Sequence, residues 1–158
     1  MPRHATASRS GPLVVVGCAS RKVWNNLAIA PDQPAGQAYA SPIFKKSRAY
    51  AEQLGCAWVI LSAKYGFLQP EEMIRDYDET FNRHSPGLVD APTLKRQVKK
   101  KGLDRYSEVL VLAGRSYVVR VRAAFEGTGA RIVEPMKGLR LGMRLRWLSE
   151  KLERGKRL

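Results

Sequence analysis

A chain of 158 residues is long enough to bury one hydrophobic core without disulfide staples, and its 44% hydrophobic and 27% charged content excludes wholesale disorder. Lys and Arg number 28 against 14 Asp and Glu, a formal charge of +14, so the surface field favours polyanions, nucleic acid first, and disfavours basic partners. Two Cys and two His, with no Cys-x-x-Cys or His-x-x-x-His spacing, exclude a disulfide framework and a zinc site, and point to a reducing cytoplasm, no metal and no cofactor.

In chain order, residues 1–11 are polar, small and basic and read as a flexible arm, leaving 12–158 as a single α/β domain. Leu13-Val14-Val15-Val16 before Cys18 imitates a signal peptide with a lipid-attachment cysteine. The run is shorter than the roughly 7–15 residues of such a segment, and Ser20-Arg21-Lys22 follows at once, so it is expected to be a buried first strand. Val23 to Ala40, with Pro31, Pro34 and Gly36, has the length of a binding loop, a lid or variable surface. Ser41-Pro42 is a cap followed by proline and starts a helix that Gly55 stops.

Trp58-Val59-Ile60-Leu61 is the second expected strand, Val109-Leu110-Val111-Leu112 the third and Ile132-Val133 the fourth. Helices are expected over Ala91 to Lys101, ending at Gly102, over Ser116 to Phe125, ending at Gly127, and over Leu139 to Glu153. Unbroken β-branched runs are the mark of strands covered on both faces. Alternation with helices predicts an α/β fold, a single three-layer domain whose mostly parallel sheet of about four strands is flanked by helices. No run approaches the roughly 20 apolar residues of a membrane span, and no membrane partner is expected.

Open α/β sheets bind ligands outside the carboxyl ends of their strands. Those ends carry Gly17-Cys18-Ala19-Ser20-Arg21-Lys22, Ser62-Ala63-Lys64-Tyr65-Gly66, Ala113-Gly114-Arg115-Ser116-Tyr117 and Pro135-Met136-Lys137-Gly138. Small residues that admit backbone N–H groups, next to Lys or Arg, are the composition of an anion pocket, which makes Cys18, Ser20, Lys22, Ser62, Gly66, Gly114 and Arg115 candidate phosphate or nucleotide ligands. No Gly-x-x-x-x-Gly-Lys-Ser/Thr and no Gly-x-Gly-x-x-Gly after a strand occurs, which disfavours a nucleotide triphosphatase or a dinucleotide enzyme. Lys64, between Ser62 and Tyr65, is the candidate whose partial desolvation would make it a nucleophile, base or anion clamp, or else it is a surface lysine in a turn. Cys18 reads as a nucleophile or as a small hydrophobe. Asp76 and Asp78 stand out among scarce carboxylates, as water-orienting groups or as caps and lysine partners. In the last helix Leu141, Leu145, Leu148 and Leu152 form a core stripe. Arg140, Arg144, Trp147 and Lys151 form a basic track with one aromatic, suited to nucleic-acid phosphates and a stacked base or else to solvent.

Leu61-Ser62-Ala63-Lys64-Tyr65-Gly66-Phe67-Leu68, followed by Pro70, Ile74 and Tyr77-Asp78, resembles the signature of a small uncharacterised bacterial and phage family. In that family a Cys-x-x-x-Lys ends the first strand, here Cys18 to Lys22, and a Tyr-x-Ser-x-x-Phe segment follows, here Tyr39 to Phe44. The central block is also similar to the peroxide-stress protein (YaaA) family, over about a third of the chain. That family is longer and has helical segments this chain lacks, so its DNA-binding elements do not carry over. The resemblance implies DNA binding and protection from oxidative damage, and it singles out Lys22, Ser62, Tyr65 and Gly66, with Lys64 supported by the closer family alone.

The expected function is that of a nucleic-acid-associated protein, DNA before RNA, with a strand-end pocket for a nucleobase or nucleotide and hydrolysis of an N-glycosidic bond as its candidate reaction. Lys22, Lys64 and Arg115 would hold phosphate, Tyr65 would stack on an extruded base and Asp78 would activate water. A non-catalytic binding module and an enzyme of free nucleotides or phosphorylated metabolites remain alternatives at this stage.

Overall fold

A computed structural model describes residues 11–19, 22–26 and 31–156. The expected N-terminal arm, apart from Gly11, and Ser20 and Arg21 lie outside the described residues. The elements are strands β1 (Leu13–Gly17), β2 (Gln33–Pro34), β3 (Trp58–Ser62), β4 (Gly66–Leu68), β5 (Met73–Ile74), β6 (Glu108–Leu112) and β7 (Arg131–Val133), and helices α1 (Ala35–Ala38), α2 (Pro42–Leu54), α3 (Ala91–Lys100), α4 (Arg115–Ala124) and α5 (Leu141–Lys156). A 3-10 turn, Val23–Asn26, follows β1 and another, Leu103–Arg105, precedes β6.

The main sheet has the order β4-β3-β1-β6-β7. β1 is central and parallel to both neighbours, with Val15 opposite Val59 on one side and Val111 on the other, and β7 continues the parallel set. The chain therefore steps from β1 to β3, then returns to the other side for β6, so the direction of winding reverses between β1 and β6. At such a switch point the loops leaving two adjacent strands diverge and open a crevice at their carboxyl ends.

Both faces of β1 are covered, as its unbroken apolar run predicts. Leu13 and Val15 join a cluster with Val59, Leu61, Val109 and Val111 that packs on Leu94 and Val98 of α3 and Val118 and Val121 of α4. Val14 and Val16 join Ile60 and Leu112 against Phe44 and Ala51 of α2 and Leu148 of α5. Each of these side chains is fully or nearly fully buried, and each of those larger than alanine contributes about 1.5–3 kcal/mol through burial alone.

Local chemistry sets the helix bounds. Ser41 accepts from the Phe44 amide ahead of Pro42, and Gly55 ends α2 at φ 70°. Asp90 accepts from the Thr93 amide at 2.9 Å, and α3 stops just before Gly102, also at φ 70°. Hydrogen bonding from Thr93 holds the exposed Asp90 carboxyl below its ordinary range.

The structure corrects the expectation in three places. The sheet has five strands rather than about four, because Ser62 to Gly66 is a hairpin turn into β4, which runs antiparallel to β3. A three-residue strand is too short to show a period in sequence. Within Val23 to Ala40, of which residues 27–30 lie outside the described residues, the described part is not an open loop: β2 pairs with β5, and Trp24, Ala35, Ala38 and Tyr39 are core residues. Leu148 is buried as expected, but Leu141 is 53% exposed. The contacts of α5 with α2 fall on its later turns, where Trp147 meets Tyr50 and the Lys151 carbonyl accepts from Gln53, so the opening turn is uncovered. Among the described residues no helix is long and apolar enough to cross a membrane.

Candidate functional site

Beyond the carboxyl ends of β1 and β3 lies a buried set of hydroxyl groups. Ser62 ends β3 with no exposure, and its Oγ accepts from the amides of Lys64 at 3.2 Å and Tyr65 at 3.0 Å, which closes the hairpin turn. The same Oγ donates to the Tyr77 hydroxyl at 2.9 Å, and the Tyr77 and Tyr39 hydroxyls share a hydrogen bond of 2.6 Å. Three distant segments are thus joined through one oxygen cluster. Burial, then the nearby Cys18, pushes the Tyr39 and Tyr77 hydroxyls well above their ordinary ionisation range. Both act as neutral donors and acceptors.

Lys22 approaches this cluster from the β1 side. A backbone bridge to Tyr39 fixes its segment, and its amide donates to Asn25 Oδ1 at 2.7 Å. The side chain is 5% exposed, with Nζ 4.5 Å from the Tyr77 ring centroid. An ammonium over an aromatic face gains about 0.5–2 kcal/mol, more when desolvated.

On the other side of β1, Tyr117 crosses the switch point. Its hydroxyl donates to the Cys18 carbonyl at 3.0 Å and lies 3.4 Å from Cys18 Sγ. Burial raises this hydroxyl too, with Cys18 as the next cause. Gly17 allows the approach: a Cβ there would stand 3.0 Å from Ala113 Cβ and 3.1 Å from the Tyr117 ring.

Next to this crevice, past the ends of β6 and β7, is a cavity of about 300 Å³ lined by Gly114, Arg115, Glu134, Lys137 and Arg144 among others. Gly114 opens α4 with no side-chain cap, and the Arg144 guanidinium is close enough to leave 3.3 Å to a Cβ placed on Gly114. Arg144 is itself oriented by Nε donating to the Leu139 carbonyl at 2.9 Å. Glu134 accepts from Arg115 at 3.2 Å, and the pair is asymmetric: the carboxylate side chain is 8% exposed and the guanidinium side chain 66%. A larger cavity of about 550 Å³ lies near the amino ends of β1 and β3, lined by Leu13, Trp58, Arg48 and Tyr106 among others. It is remote from the strand-end groups.

A family profile described as a family of unknown function (DUF6884) matches residues 13–150. The chain belongs to the DUF6884 family. It is also 36% identical over 106 residues to the uncharacterized protein YfjM of Bacillus subtilis (strain 168), an alignment that covers 66% of this chain and 71% of YfjM. No solved structure matches it. The DUF6884 match encloses the segments from Cys18 to Lys22, Tyr39 to Phe44 and Leu61 to Asp78 that stood out in the sequence.

In this DUF6884 chain the structure brings Cys18, Lys22, Ser62, Gly114 and Arg115 to the carboxyl edge of the sheet; Ser20 lies outside the described residues. Gly66 sits at φ 78° in the hairpin, where it serves the turn. Lys64 is exposed in that turn, its Nζ 5.5 Å from the Tyr65 ring, so the desolvation expected of it is absent. Asp78 faces solvent with a fully exposed side chain and pairs with Arg83 at 3.4 Å. Tyr65 is held by its hydroxyl to the Arg75 backbone at 3.3 Å and packs edge-on against Tyr77. The track on α5 divides. Arg144 lines the cavity and Arg140 is exposed, whereas Trp147 packs edge-on against Tyr50 with Lys151 Nζ 5.2 Å from its ring.

Sequence reasoning did not single out Tyr39, Tyr77, Tyr117, Glu134 or Lys137 as site residues. Glu134 carried a signal, since it directly follows the apolar pair Ile132-Val133 at a strand end. The tyrosines lay in segments the sequence marked, Tyr39 and Tyr77 in the family-like motifs and Tyr117 at a strand end, but only the fold joins positions 39, 77 and 117.

Proposed function

We propose that the protein is nucleic-acid-associated and holds a nucleotide at the carboxyl edge of a single three-layer domain, with DNA before RNA as the polymer. One observation carries the reading: the cation-bearing ends of β1, β6 and β7 lie side by side, with the buried Lys22 over the Tyr77 ring at one end and the Arg144 and Lys137 cavity at the other. A phosphate needs a cationic site of this kind, and the half-buried Tyr65, packed edge-on against Tyr77, is the aromatic nearest to it for a base. The formal charge of +14 supplies the long-range attraction. The reading is one of binding rather than of hydrolysis, because Lys64 and Asp78 both stand in solvent.

The test is fluorescence anisotropy with labelled single- and double-stranded DNA and RNA across a salt series, for wild type, Lys22→Met and Arg144→Ala. Binding is expected to weaken with salt at a log–log slope near −0.9 for each duplex phosphate contacted. Each variant is expected to bind about tenfold more weakly, the loss of one charge-assisted contact. Unchanged affinity in both folded variants would show that any polymer binding is generic surface attraction and would sink the proposal.

A further inference from the structure

The geometry points to the cavity between the ends of β6 and β7 as a subsite for a phosphorylated pentose, with Arg144, Lys137 and Arg115 on the phosphate and Glu134 on the sugar hydroxyls. This assignment deepens the nucleotide reading, on which it rests for the base but not for the sugar phosphate.

The volume of about 300 Å³ is at the low end for ligand sites and suits one small polar group rather than a whole dinucleotide. Its cations reach it from three elements: Arg115 opens α4, Lys137 stands in the turn after β7, and Arg144 comes from α5. A structural ion pair would explain Arg115 and Glu134 alone, but it leaves Lys137 and Arg144 facing the same cavity with no added carboxylate among its lining residues. Two positive charges in excess of one negative is the balance that a phosphate dianion completes.

Glu134 makes the site specific. Its side chain is 8% exposed, while the guanidinium that holds it is 66% exposed. A phosphate arriving beside Arg115 competes for that guanidinium, which releases carboxylate lone pairs toward the ligand. Carboxylates accept from hydroxyls more strongly than neutral groups do, and a pentose presents hydroxyls next to its phosphate-bearing carbon. Inorganic phosphate has no carbon-bound hydroxyls beside it and meets Glu134 mainly as a like charge, with only its own P–OH as a donor. Glu134→Gln therefore has opposite consequences for the two ligands.

Isothermal titration of the full chain with inorganic phosphate, ribose 5-phosphate, a 5′-mononucleotide and a 5′-phosphorylated oligonucleotide tests the subsite. Arg144→Ala and Lys137→Ala are each expected to weaken ribose 5-phosphate about tenfold, and Lys137 is exposed, so at least that variant keeps its fold. Glu134→Gln is expected to weaken ribose 5-phosphate several-fold and to tighten inorganic phosphate. The mononucleotide and oligonucleotide arms tell whether the sugar phosphate comes from a free nucleotide or a polymer end. Wild type that fails to bind ribose 5-phosphate, Lys137→Ala that binds it as wild type does, or Glu134→Gln that shifts both ligands in the same direction would each overturn the assignment. Ribose 5-phosphate has no base, so loss of base-dependent binding alone defeats the nucleotide reading and leaves this subsite standing.

Discussion

Tyr77→Phe removes a single oxygen from the centre of the strand-end cluster. In the native protein that oxygen accepts from Ser62 and shares a hydrogen bond with Tyr39. Its removal leaves two buried hydroxyls short of a partner while the ring and its contact with Lys22 stay. An orphaned buried group costs about 1–3 kcal/mol, so the pair should cost about 2–3 kcal/mol after partial relaxation. For a chain of this size that lowers the melting temperature by about 5–10 °C. The substitution has a second signature. Burial raises Tyr39, Tyr77 and Tyr117 above their ordinary range, so above pH of about 10 the unfolded tyrosines lose protons that the folded ones keep. The native state then binds more protons than the unfolded state, so this stabilising difference is complete below that pH and is lost as pH rises, by about 1.4 kcal/mol per pH unit for each tyrosine. Urea denaturation from neutral pH to about pH 11 should show Tyr77→Phe losing stability at neutrality and falling less steeply in alkali, by one tyrosine's share. A neutral-pH loss below about 0.5 kcal/mol with an unchanged alkaline slope would refute the network.

Gln97→Ala should destabilise by about 1–2 kcal/mol and cause concentration-dependent association visible by light scattering, because Gln97 covers the outer edge of β4, accepting from the Phe67 amide at 2.8 Å and donating to the Tyr65 carbonyl at 3.0 Å. Gly66→Ala should cost more than Gly55→Ala in thermal melts: both glycines have φ near 70–80°, but a Cβ on Gly66 would run into the Gln97 carboxamide while one on Gly55 meets open space. Asp78→Asn and Lys64→Ala should each stay within about 0.5 kcal/mol of wild type and leave nucleotide affinity unchanged by titration, since both side chains are exposed.

The parallel strands were legible because a strand covered on both faces must be apolar throughout, and Val14 to Val16, Val59 to Leu61 and Val109 to Leu112 have no polar interruption. Helix bounds were legible where a cap and a glycine bracket the segment, as Ser41 and Gly55 do. β4 was hidden because three residues show no period and its edge is satisfied by Gln97, thirty positions from Phe67. Lys64 is exposed because the residues after β3 turn back in a hairpin rather than leading into a crossover. Scarcity drew attention to Asp78, yet its side chain is fully exposed, whereas that of Glu134 is only 8% exposed.

The two halves of the carboxyl edge differ in how their polar groups are used, and the difference bears on function. At β1 and β3 the hydroxyls of Ser62, Tyr39 and Tyr77 satisfy one another, so a ligand arriving there meets a frame already locked by its own hydrogen bonds. Such a frame loses little freedom on binding, which favours affinity and selectivity. At β6 and β7 the charged groups are held at one end only: Arg144 by the Leu139 carbonyl, Glu134 by a guanidinium that is mostly in solvent. Those contacts exchange readily for a ligand's. A rigid aromatic and hydroxyl frame beside an exchangeable ionic cavity is an arrangement in which shape selects one part of a ligand and charge captures the other. Substitutions in the first half should therefore alter stability and selectivity together, whereas those in the second should alter affinity and its salt dependence with little change in the fold.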